Sequence, residues 1–185
     1  MSEQGNPLIK PKRPSKLDYY LGLAKAASER ATCYRARFGA IIVRDDQIIA
    51  TGYVGAPRGT RDCLERESCL RQQLNIPRGQ RYELCRSVHA EMNAIINAAR
   101  AGVSVLNGNL FLIGYDPQTD QALDAMPCNM CKRHLINAGL RLIHCRQKDN
   151  SILTFSIADW AKEWSEGDII DDKQRYGAGV APKAE

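Results

Sequence analysis

Ser87-Val88-His89-Ala90-Glu91-Met92-Asn93-Ala94-Ile95-Ile96, read together with Pro127-Cys128-Asn129-Met130-Cys131, decides how this chain folds. Each stretch opens a helix. Over 88–101, Ala90, Ala94, Ile95 and Ala98 share one face, with Gly102 just past the end. Over 128–138, Pro127 precedes the first turn and Gly139 sits where a C′ residue belongs. The i, i+3 spacing of Cys128 and Cys131 puts both sulfurs on one side, at a helix end whose dipole favours thiolate. With His89 they offer three of the four positions of a tetrahedral zinc, leaving the fourth for water. Such an ion brings the pKa of its water toward neutrality. Glu91, two residues from the imidazole, is placed to move protons rather than to bind metal.

Working outward, Phe38–Val43 and Gln47–Tyr53 flank Arg44-Asp45-Asp46 and read as a hairpin. The apolar run Ala40 to Val43 suits a strand covered on both faces. Leu110–Ile113 and Leu140–His144 read as short buried strands. Residues 16–31 read as a helix with Ser15 as N-cap, since Leu17, Tyr20, Leu21 and Ala24 fall on one face. A last helix is expected over 157–165. This succession implies right-handed crossovers and a mostly parallel sheet with helices packed on it.

Between the hairpin and His89, residues 54–86 are irregular, with a short helix expected near 64–74. A loop of this length in a compact domain is functional or stapled. It carries seven arginines (58, 61, 66, 71, 78, 81, 86) against four acidic residues (62, 65, 67, 83), a basic excess suited to a phosphate-bearing ligand. The chain has 185 residues, enough for one domain with tails: a basic arm over 1–14, a domain over 15–170 and a flexible tail over 171–185. No apolar run is long enough to span a bilayer, and the N-terminal region has no signal-peptide pattern. Seven cysteines in such a chain argue for a reducing, cytoplasmic setting and metal chemistry over disulfides. The net charge of +5 is modest, so a small anion is the expected partner rather than nucleic acid or membrane.

The ordered pair of motifs is the signature of zinc deaminases acting on cytosine or adenine rings. The chain resembles the deoxycytidylate (dCMP) deaminase family of the cytidine deaminase-like superfamily, over about residues 17–146. The resemblance rests on Phe38-Gly39-Ala40-Ile41-Ile42-Val43, on Gly52-Tyr53-Val54-Gly55-Ala56-Pro57-Arg58-Gly59, on the block from His89 to Ile95, and on Pro127 to Cys131 with Ile136-Asn137-Ala138-Gly139. It implies an α/β three-layer sandwich with a mixed central sheet and helices on both faces. It also implies zinc on His89, Cys128 and Cys131, with Glu91 as proton shuttle in the hydrolysis of dCMP to dUMP and ammonia, feeding thymidylate synthesis. Substrate contacts are implied at the Ala90 amide, the Met126 carbonyl, Asn93 and Arg58, the last toward phosphate. A homo-oligomer, dimer or hexamer, is implied as well.

Two features depart from the family pattern. Val54 stands where members usually carry asparagine, so any contact made by that side chain is lost or supplied elsewhere. Residues 115–126 form a longer connection than usual, and Met126 replaces a customary serine or threonine. Other readings of the same residues are a deaminase of cytidine, guanine, a pyrimidine intermediate or tRNA adenosine, and a zinc-stabilised nucleotide-binding or DNA-uptake accessory without catalysis. A purely structural zinc site usually has four protein ligands, so Glu91 beside three favours catalysis. Cys33, Cys63, Cys69 and Cys85 form a candidate second, structural zinc site that would staple the long loop. His134, His144 and Cys145 read as structural.

Overall fold

The computed structural model describes residues 13–166. The basic arm and the flexible tail therefore lie outside the described residues, apart from residues 13 and 14. Five strands run in the order β2 (Gln47–Tyr53), β1 (Arg37–Arg44), β3 (Asn109–Tyr115), β5 (Leu142–Arg146) and β6 (Ile152–Ser156). The two-residue β4 (Ala122–Leu123) pairs with the end of β3. Only β3 and β5 are parallel; the other pairings are antiparallel. The sheet is mixed, as the resemblance implies, and the expectation of a mostly parallel sheet was wrong. The hairpin strand β1 lies between β2 and β3 and runs against both, so a single crossover unit remains, β3 to β5.

The sheet is covered on both faces. Ile41, Val43, Phe111 and Ile113 point to one side and meet Tyr20, Leu21 and Ala24 of α1 (Lys16–Ser28). Ala40, Ile42, Leu110 and Leu112 point to the other. There they meet Ala90, Ala94 and Ala98 of α3 (Ala90–Arg100), Leu135 of α4 (Asn129–Asn137), and Ile157 and Trp160 of α5 (Ile157–Glu166). The period-2 alternation of a strand thus explains why Ala40 to Val43 reads as an unbroken apolar run.

Local chemistry sets the element ends. Ser15 caps α1 by accepting from the Asp18 amide at 3.0 Å. Asp45 and Asp46 both take positive φ (50° and 64°), the backbone that a two-residue hairpin turn demands, without a glycine. Gly52 is required by close approach: a Cβ there would lie 2.3 Å from the Ala90 carbonyl oxygen and 2.3 Å from the Ala94 amide nitrogen. The first turn of α3 therefore rests directly on β2. Within the long loop the helices are short, α2 (Leu70–Gln73) and a 3-10 turn at Tyr82–Leu84.

Candidate active site

His89 and Cys128 are the N-cap residues of α3 and α4. An N-cap side chain normally turns back onto its own helix. Neither does so here; both turn toward one another. His89 Nδ1 lies 3.4 Å from Cys128 Sγ and 3.3 Å from Cys131 Sγ. With Cys131 in the first turn of α4, the three ligand atoms lie within 4.8 Å of one another, the one such grouping found among the described residues. Nitrogen and sulfur donors bonded at about 2.0–2.3 Å to a tetrahedral ion stand at separations of this size. The donor set and its spacing fit zinc.

The electrostatics agree with that reading. The Cys128 thiol is pushed down to about 4, first by the hydrogen bond from Cys131 and, against the cost of burial, by a second from His89. Cys131 is pushed up, because it donates to Cys128 and is buried. Burial lowers the affinity of His89 for its proton, but the bond to Cys128 and the charge of Glu91 outweigh this and raise it. Glu91 is 5% exposed, and burial pushes its carboxyl up against the opposing pull of His89. It lines the same cavity as His89 and Cys128, which places the carboxyl beside the cluster.

A cavity of about 450 Å³ opens over His89, Glu91 and Cys128. Ala90, Val54 and Met126 line it, as do Phe38, Arg35, Arg71, Arg78 and Tyr82. The longer connection after β3 contributes Leu123 and Asp124 to the wall, because β4 folds it back along the sheet. Of the four residues expected to contact substrate, Ala90 and Met126 line the cavity. Arg58 and Asn93 do not line the cavity. Arg58 is exposed and donates to Asn97 Oδ1 at 2.6 Å on the outer side of α3. Asn93 donates to the Tyr53 carbonyl at 2.7 Å, tying α3 to β2. Asn93 thus fastens α3 to β2, and Arg58 fastens its loop to α3.

Sequence reasoning missed Arg35, Phe38, Tyr82 and Asp124. The Tyr82 ring stands edge-on to His89, with centroids 4.6 Å apart, while the Arg71 guanidinium lies 4.7 Å from the other end of the contact, over the Tyr82 ring. Only the arginine-rich composition of the loop hinted at this wall. Cys33, Cys63, Cys69 and Cys85 are brought into one neighbourhood: burial pushes up Cys33 and Cys63, and the other thiols of the set add to both. They do not form a grouping of ligand spacing.

A mixed sheet thus carries two helix N-termini that present histidine, paired cysteines and a buried carboxylate to one cavity. The chain belongs to the family described as the cytidine and deoxycytidylate deaminase zinc-binding region, whose model matches residues 14–146. It is 33% identical over 129 residues to a deoxycytidylate deaminase of Schizosaccharomyces pombe, a match covering 70% of this chain and 36% of that protein. The chain thus spans little more than a third of the length of that relative. It is 38% identical over 93 residues to the deoxycytidylate deaminase of Mycobacterium phage D29, covering 48% of this chain and 70% of that protein. A solved structure of the dCMP deaminase of cyanophage S-TIM5 with dCMP and dUMP aligns over 71% of this chain and 80% of its own, at 23% identity and a TM-score of 0.49.

Proposed function

We propose that this chain hydrolyses dCMP to dUMP and ammonia, with one zinc held by His89, Cys128 and Cys131. The carrying observation is the buried carboxyl of Glu91 beside the His-Cys-Cys cluster, inside a cavity walled by arginines. Zinc bound there supplies a polarised water, nucleophilic at neutral pH. The chain's own residues do the rest. Glu91 takes a proton from the attacking water and passes it to N3 of the ring. It then takes the second proton from the new C4 hydroxyl and delivers it to the amino group as the C4–N bond breaks, so that water and amino-pyrimidine become keto-pyrimidine and ammonia. A raised carboxyl pKa suits a group that must hold a proton between these transfers. The Ala90 amide and the Met126 carbonyl hold the two edges of the ring.

The arginines favour a phosphorylated substrate over a free nucleoside or base. Ammonia release from dCMP, cytidine, deoxycytidine and guanine by the zinc-loaded protein tests this directly. Turnover of dCMP well above the others is expected, and equal turnover of dCMP and deoxycytidine refutes the nucleotide reading.

A second zinc on Cys33, Cys63, Cys69 and Cys85 is the finer reading of the metal content. Supporting it are the shared neighbourhood of these thiols and the Arg35 amide, which donates to Cys33 Sγ at 3.4 Å. Metal analysis of active protein decides: about two zinc ions per chain support it, and about one removes it. The reading also includes assembly into a homo-oligomer, which light scattering of the purified protein measures. It places the protein in the cytoplasm, where its seven free thiols stay reduced. No helix among the described residues is long and apolar enough to cross a membrane.

A further inference from the structure

We infer that Arg71 is the residue that selects a 5′-phosphate, an assignment that rests on the nucleotide reading above. Arg71 is 6% exposed, yet it lines the cavity. A buried guanidinium ordinarily has a carboxylate beside it, because an unpaired buried charge is costly. Arg71 forms no ion pair among the described residues, although its charge reaches the Glu83 carboxylate. Its Nη2 donates to the carbonyls of Pro77 and Gln80, at 3.2 and 2.5 Å, and its Nε has no acceptor. The carboxylates nearby are engaged elsewhere: Glu83 with Arg81, Asp116 with Arg78, Asp124 with Lys148.

Arg35 is half-buried and, among the described residues, also lacks a carboxylate partner. It lines the cavity and donates to the Ile76 carbonyl at 2.8 Å, with no ion pair among the described residues. Two guanidinium groups without carboxylates match the charge of a phosphate monoester, about −1.5 to −2 at neutral pH. Their position matches its place in a nucleotide. The Tyr82 ring contacts both His89 and Arg71, so a base at the cluster would have its sugar along Tyr82 and its phosphate at the arginines. Arg58, outside the cavity, cannot serve this role.

The experiment compares kcat/KM for dCMP and deoxycytidine in the parent, in Arg71→Gln and in Arg71→Lys. The ratio of the two constants is expected to fall roughly tenfold or more in Arg71→Gln, the scale of a lost charge-assisted hydrogen bond, and by less in Arg71→Lys. A parallel fall in both constants, leaving the ratio unchanged, makes Arg71 a loop fastener and overturns the assignment. A crystal structure of the parent with dUMP reads the contact without any substitution. Phosphate oxygens about 3 Å from the Arg71 guanidinium support it, and a phosphate bound away from Arg71 overturns it. A parent that does not prefer dCMP to deoxycytidine instead defeats the nucleotide reading itself, before Arg71 is altered.

Discussion

Glu91 and Cys131 lie in the first turns of α3 and α4, yet they should fail differently when changed. Glu91→Gln keeps the size of the side chain and removes its ability to accept a proton. It is expected to keep its zinc and to lose turnover by about 10²–10⁴-fold. Metal analysis alongside ammonia release checks this, and loss of zinc together with activity would mean that the carboxylate helps to hold the metal. Cys131→Ser removes a ligand whose sulfur is fully buried. Metal content should drop with activity, and the thermal midpoint of the zinc-loaded sample should fall toward that of chelated parent protein.

At the scale of elements, the site depends on how closely α3 sits on β2. Gly52→Ala would force a Cβ into the Ala90 and Ala94 backbone. Overpacking of this kind typically costs about 1–3 kcal/mol. Because the displaced turn carries Glu91 and follows His89, the variant should lose kcat as well as thermal stability, and unchanged kcat would show that α3 can shift without disturbing the cluster. Strand β5 provides a pH test on the opposite face. His144 is buried, stacks on Phe111 at 4.7 Å and shares a hydrogen bond with Thr154 Oγ1 at 2.9 Å. Burial, with a smaller push from Arg141, depresses its pKa below 6.5. Below that value the unfolded chain takes up the proton more readily than the folded one, so stability falls as pH drops through it. His144→Gln should therefore show a smaller loss of thermal midpoint between neutral pH and pH near 5.5 than the parent does. Equal losses would assign the acid sensitivity to other groups, the zinc ligands foremost.

Across the whole molecule, the deaminase region does not close its own core. The family match ends at residue 146, but β6 follows it beside β5 and α5 packs on α4. Trp160 is 6% exposed, packs on Phe155 at 5.3 Å and takes the Lys132 ammonium over its ring at 5.2 Å. Lys132 adjoins Cys131, so this packing supports the helix that carries both thiols. Trp160→Ala should cost about 3–5 kcal/mol and lower the thermal midpoint by on the order of 10 °C, with weaker zinc retention. A thermal scan and a chelator titration check both effects; a stable variant that releases zinc no faster would detach α5 from the site.

The chemistry of the site was legible in the sequence because it is local. The reach of His89 to Glu91 and of Cys128 to Cys131 is set by helix geometry within one turn, and the capping positions follow from Pro127, Gly102 and Gly139. Strand and helix types were legible for the same reason, from periods of two and of 3.6. Pairing is not local. Whether β1 runs with or against β3 depends on which edges meet, and the expectation of parallel strands failed on that point. The short strand β6 lay hidden because only part of its surface is buried, so its apolar alternation is weak. The arginine wall shows the same limit. Seven arginines in one loop signalled an anion, but Arg58 and Arg71 look alike in sequence. Only the fold turns one outward onto Asn97 and seals the other, without a counter-charge, against the cavity.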